Sequence, residues 1–194
     1  MTARRTAPAV LLLLAGCISL GPKPPASLIR LDPAERAPAD AGQPLTPARS
    51  VTVLPPTAAQ EIAVTRVPVR SGAAQLTYLK GATYADQPTR LFGSMLSETI
   101  RARTGRPVLD VRGYSLAPGL RLSTRIVAFG ADADRREVTM VVDASLQPAG
   151  NATPTLRRFE ARAPLATIDA ATVAPALDRV ANEVAAQMAD WVGR

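Results

Sequence analysis

Cys17 is the only cysteine in the chain, and it closes the stretch Leu14-Ala15-Gly16-Cys17 behind the apolar run Val10 to Leu14 and the cations Arg4 and Arg5. A charged start, a short apolar core and small residues before a cut describe a secretory signal peptide. The apolar run is too short to span a bilayer as a helix. A leucine three positions before the cysteine and the small pair Ala15-Gly16 suit a lipoprotein signal peptidase, with the thiol of Cys17 accepting a diacylglyceryl group before cleavage. Cys17 then becomes the first mature residue and takes a further acyl chain, such as palmitate, on its amine. The competing reading is a free cysteine that is merely a small buried hydrophobe. Two or three acyl chains hold a protein on a membrane stably, since each buried methylene contributes about 0.8 kcal/mol.

The remaining chemistry is sparse. The chain has no histidine, which removes the usual general base near neutral pH, the commonest metal ligand and every Ser-His or Cys-His pair. Lys23 and Lys80 are the only lysines, and Ser94 and Ser97 have no lysine three residues on. No enzyme, cofactor or metal site is expected; the only attached group is the acyl modification of Cys17. Asp132 and Asp134 in the polar stretch before Arg135 and Arg136 lack the further spaced oxygens of a calcium loop and read as a solvated turn. Asn151-Ala152-Thr153 matches a glycosylation sequon without meaning in a bacterial chain.

Loss of residues 1–16 takes Arg4 and Arg5 from the 23 basic residues and leaves all 16 acidic ones, a mature balance of +5. The cations are scattered, with Arg157, Arg158 and Arg162 the nearest to a cluster, so a nucleic-acid stripe is absent and attraction to anionic headgroups is the weaker alternative to a solvated face. With its one cysteine acylated, the mature domain has no intrachain disulfide and must be held by packing.

The elements follow from the periodicities. Residues 17–49 are rich in Pro and Ala and read as an extended tether, with Ser27 to Leu31 able to add a short strand to the domain at 50–194. Ser50 to Leu54 is a β-branched run expected to be central, and Val64 to Val69, which carries Pro68, is expected at an edge. Gln75 to Leu79 is a third strand, followed by a Gly81-containing loop to Tyr84. Leu91, Phe92, Met95, Leu96, Thr99 and Ile100 recur at helical spacing between Asp86 or Gln87 and Gly105. Val108 to Gly113 returns to strand. Leu120, Leu122, Thr124, Ile126 and Ala128 alternate on one face and are answered by Val138, Met140, Val142, Ala144 and Leu146, which predicts a long antiparallel hairpin. Leu156 to Ala163 is a last strand, and Val173, Leu177, Val180, Val184, Met188 and Trp191 mark a second helix capped by Thr172 or Asp169. Two apolar helical stripes need the apolar face of one sheet, so the fold expected is a single two-layer α+β domain with a mostly antiparallel sheet.

This order of parts resembles the ABC-type transport auxiliary lipoproteins. The resemblance rests on the lipobox and proline-rich tether and on a strand ending in proline at Val51-Thr52-Val53-Leu54-Pro55. It rests also on Tyr84-Ala85-Asp86-Gln87-Pro88 with Leu91, where the family usually has tryptophan for the tyrosine. The alternating strand from Gly119 to Phe129 and the strand Leu156-Arg157-Arg158-Phe159 complete it. The resemblance implies a non-catalytic periplasmic lipoprotein that serves a mammalian-cell-entry (MCE) type ABC transport system, in which an inner-membrane ATPase and permease couple to MCE-domain rings carrying lipid between the membranes. It implies docking on the MCE component, a ring-shaped homo-oligomer and an anchor in the inner leaflet of the outer membrane. Ile18, rather than aspartate, after Cys17 agrees with outer-membrane sorting.

Two other classes stay open: an assembly or plug lipoprotein for an outer-membrane machine, and a lipoprotein that carries lipid in an internal cavity. The second needs an enlarged apolar pocket, whereas the many alanines of the last helix favour close packing. For docking, the candidate contacts are Tyr78 and Tyr84, which bound a Gly81-containing connection, and Asp132, Arg135 and Arg136 at the hairpin turn. Both tyrosines are equally suited to covering the core edge.

Overall fold

The computed structural model describes residues 27–39, 42, 44–113, 119–150 and 152–194. Its elements are β1 (Val51–Val53), β2 (Thr57–Ala58), β3 (Arg66–Ser71), β4 (Gln75–Thr83), α1 (Pro88–Thr104), β5 (Val108–Leu109), β6 (Leu120–Asp132), β7 (Glu137–Gln147), β8 (Thr155–Pro164) and α2 (Ala170–Val192). Together they make one α+β domain with a single eight-stranded sheet.

The long strand β6 organises the sheet. One of its edges pairs antiparallel with β7 from Asp132↔Glu137 to Arg121↔Gln147, and β7 pairs antiparallel with β8. Along the other edge, three short strands attach in chain order, all parallel: β1 at Leu120 to Leu122, β2 at Arg125 and Ile126, and β3 at Ala131 and Asp132. The long pairings are antiparallel as expected, whereas the parallel additions were not legible from periodicity.

Three expectations are corrected. β3 is interior, between β4 and β6, rather than at an edge. Pro68 is tolerated there because the β3–β4 register shifts between Arg66 and Pro68, and ladder pairing with β6 begins only at Val69. The segment from Tyr78 to Thr83 is strand, the second half of β4, rather than loop. Of Val108 to Gly113, only Val108–Leu109 pairs, with β1, and the chain then turns through Val111 and Arg112.

A fourth correction concerns the alternation of β6. The buried set runs Leu122, Thr124, Ile126 and then Phe129, Ala131. A bulge between Ile126 and Ala128 adds one residue against β7, so Ala128 leaves the core-facing row and Phe129 takes its place. Core rows then cross the sheet as Ile126–Val142–Phe159, Phe129–Met140–Ala161 and Ala131–Val138–Ala163, every member buried.

Both helices cover that face. α2 packs on β7 and β8, and α1 packs on α2. Val180, Ala181, Val184, Ala185 and Met188 are fully buried, so the small residues bring α2 close and leave the helix–sheet interface filled. Asp169, not Thr172, is the N-cap of α2, its carboxylate accepting the Thr172 N–H at 2.9 Å. α1 starts at Pro88 after Gln87 and ends at Gly105, whose φ of 61° closes the helix in the left-handed conformation that glycine adopts without strain. No helix among the described residues is long and apolar enough to cross a membrane.

Within the Pro/Ala-rich segment, the part around Ile29 and Leu31 packs on the domain. Ile29 and Leu31 are buried, each contributing roughly 1.5–3 kcal/mol on the hydrophobic scale.

Candidate docking surface

Cys17, the residue expected to be acylated, and its flanking Leu14, Ala15 and Gly16 lie outside the described residues. Residues 29–37 form a strap along the end of β4 and both helices. Ile29 donates its N–H to the Thr83 carbonyl and accepts from Ala85 N–H, both at 2.8 Å. Farther on, Asp32 N–H donates to Asp178, Ala34 N–H to the Asn182 side chain and Ala37 N–H to Glu98, each at 2.8 Å. Arg103 of α1 pairs with both Glu35 of the strap and Asp190 of α2. The hydrogen bonds from Asp190 first and Glu35 second hold its guanidinium pKa above the ordinary arginine value.

The five docking candidates separate into core and surface. Tyr84 is core: it is 1% exposed, its ring stacks on Phe129 with centroids 5.7 Å apart, and burial pushes its phenol pKa well up. Its hydroxyl has no hydrogen-bond partner among the described residues. Tyr78 is half-buried on β4, with the Arg66 guanidinium 3.7 Å from its ring centroid. Asp132 turns inward on its own loop and accepts the Arg135 N–H at 2.9 Å. Arg135 is exposed, 3.8 Å from Glu137. Arg136 is exposed with a φ of 50°, and its carbonyl accepts Leu165 N–H at 2.8 Å.

The two aspartates of the hairpin are thus spent on the backbone. Asp134 accepts Gly72 N–H at 2.6 Å, which ties the β6–β7 turn to the β3–β4 turn. No group of three or more His, Cys, Asp or Glu that could hold a metal occurs among the described residues.

The face of the sheet away from the helices carries two open grooves. One, of about 610 Å³, runs past Leu54, Ser123, Arg125, Asp143 and Leu156. The other, of about 550 Å³, has Val127, Ala128 and Val141 on its floor and Leu76 and Arg70 on a wall, and it takes in Asp132 and Arg135 at one end. Register crosses this face as Arg125–Asp143–Arg158, then Ala128–Val141–Glu160, then Gly130–Thr139–Arg162. Arg158 bonds Asp143 at 2.6 and 2.8 Å, and Arg162 pairs with Glu160 and Glu137. The hydrogen bond from Arg158 lowers the Asp143 pKa below the ordinary carboxylate value.

Sequence reasoning placed the hairpin turn on the surface but missed Val127, Leu76 and Arg70. A signal was present: Ile126-Val127-Ala128-Phe129 is an unbroken apolar run inside an otherwise alternating strand, which is what a bulge that turns apolar side chains to both faces leaves behind.

Comparison with known proteins adds the family. The family model for the ABC-type transport auxiliary lipoprotein component matches residues 30–189. The fold is similar to the crystal structure of protein XCC0632 from Xanthomonas campestris, at 20% identity and TM-score 0.64, over 87% of this chain and 92% of that one. An uncharacterized protein of known structure aligns at 13% identity and TM-score 0.61, over 78% of this chain and 93% of that one. No curated protein matches the sequence. The matched residues take in the strap, the whole sheet and nearly all of α2, and the chain belongs to the family of ABC-type transport auxiliary lipoprotein components.

Proposed function

We propose that the protein is a non-catalytic lipoprotein, acylated at Cys17 and held on the inner leaflet of the outer membrane. There it docks on the MCE-domain component of an ABC transport system that moves lipid between the two membranes. The observation that carries this reading is the family match over residues 30–189, joined to a lipobox that ends at Cys17. The filled helix–sheet interface supports a docking module over a lipid carrier, because the large grooves among the described residues are open troughs on the surface. The absence of histidine from the chain supports a role without acid–base catalysis.

Affinity recovery of the detergent-solubilised lipoprotein from its host tests the reading, with Cys17→Ala as the control for anchoring. Recovery of an MCE protein with its ATPase is expected. Recovery of an outer-membrane barrel without them would replace this reading by the assembly or plug alternative.

A further inference from the structure

The groove of about 610 Å³ on the helix-free face carries uncompensated charge. Three arginines, Arg125, Arg157 and Arg158, line it against a single acid, Asp143, an excess of two positive charges. Arg158 already bonds Asp143 through both carboxylate oxygens. Among the described residues, Arg125 feels only the nearby charge of Asp143, and Arg157 only the Phe159 ring, whose centroid lies 5.0 Å from its guanidinium carbon. Strand pairing gathers cations that the sequence scatters: Arg125, Asp143 and Arg158 share one cross-strand row, and the neighbouring row is Ser123, Ser145 and Leu156. Leu156 is 77% exposed, more than any other large hydrophobic side chain described. A bare leucine beside unengaged arginines suits a membrane interface, where the apolar side chain enters the acyl boundary and the cations meet headgroup phosphates.

The groove also lies close to where the chain joins the domain. Ile29, twelve residues after Cys17, accepts the Ala85 N–H, and Asp86 lines an adjoining trough that shares Leu54 and Pro55 with this groove. With Cys17 acylated, twelve residues reach at most about 40 Å, the width of a domain of this size, so headgroups stay within reach of the groove. We propose that Arg125, Arg157 and Leu156 form a second membrane contact that binds anionic phospholipid headgroups and sets the orientation of the domain on the bilayer. An acidic protein segment has the same charge, but the anchor itself brings headgroups to this surface. The inference rests on the acylation proposed above and deepens it by naming the side of the domain that meets the membrane.

The test uses the acylated lipoprotein, purified from its host and placed in vesicles, with a fluorophore on one added cysteine: Thr155→Cys beside the groove, or Arg179→Cys on the exposed side of α2. Acylation leaves Cys17 without a competing thiol, and a quencher on the lipid headgroups reads proximity. In phosphatidylcholine vesicles containing phosphatidylglycerol, quenching at 155 should exceed that at 179 about threefold. The excess should vanish in phosphatidylcholine alone, in high salt, and in the double variant Arg125→Glu with Arg157→Glu, whose thermal melt should match the parent's. Equal quenching at the two positions with phosphatidylglycerol present, or an excess that survives neutral lipid and high salt, overturns the contact and leaves the anchor standing. In the host, a benzophenone at position 156 should crosslink phospholipid; an adduct with a transport component or a second copy of the chain also overturns it. A lipoprotein that does not stay with the vesicles at all removes the anchor, and this contact with it.

Discussion

Gly130 of β6 lies directly against the backbone of Pro68 in β3: a Cβ at position 130 would collide with the Pro68 carbonyl oxygen. The contact sits just before the Val69↔Ala131 pair, so the parallel joint between β3 and β6 depends on a missing side chain at one position. Gly130→Ala should destabilise the domain by roughly 1–3 kcal/mol, the usual cost of forcing a methyl into packed surroundings. Chemical denaturation measures it. A midpoint equal to the parent's would show that β3 moves aside freely.

Tyr84 buries a hydroxyl that finds no partner among the described residues while its ring stacks on Phe129. Tyr84→Phe keeps the stacking and deletes the unsatisfied group, so stability should rise by about 1 kcal/mol. A loss of similar size in a thermal melt would mean that the hydroxyl is bonded after all.

Arg103 joins the strap at Glu35 to α2 at Asp190. Exposed ion pairs contribute at most about 1 kcal/mol each, and ordering each strap residue costs about as much as the bonds return. Arg103→Ala should therefore speed amide exchange at Asp32, Ala34 and Ala37 while exchange in β7 stays as it was. Equal acceleration in β7 would contradict a locally held strap.

Asp169 caps α2 with its pKa lowered first by the Thr167 hydroxyl and next by the Thr172 N–H. A group whose folded pKa lies below its unfolded value, about 3.9 for aspartate, stabilises fully above that value and loses the contribution as pH falls through the folded pKa. The parent should lose stability in this acid window by an amount that Asp169→Asn, an equally good cap, does not show. Superimposable melting curves from pH 5 to pH 2 would rule out the linkage.

Cys17 lies before the described residues, and its role is tested by processing. Cys17→Ala should leave the precursor uncleaved and free of acyl chains, so that whole-protein mass spectrometry finds residues 1–16 still attached. A cleaved, unmodified product would point to an ordinary secretory signal.

The sequence by itself determined the two amphipathic helices, the long β6–β7 hairpin and the two-layer class, because each is written in local periodicity, and it raised the expectation of an anchor at Cys17 through a contiguous motif. It also carried the family, through the run from Tyr84 to Pro88 and the strands that follow. Tertiary structure decided what depends on distant pairings. Pro68 looked like an edge residue until a register shift let β3 lie between β4 and β6. Tyr84 looked like a loop aromatic until Phe129 and the helix layer closed over it. The apolar floor of the groove came from a bulge of one residue at Ile126 to Ala128, which reverses which side chains face the core beyond it. With a side-chain period of two, one inserted residue changes the face of every residue that follows, and only the partner strand's register reveals where the insertion falls.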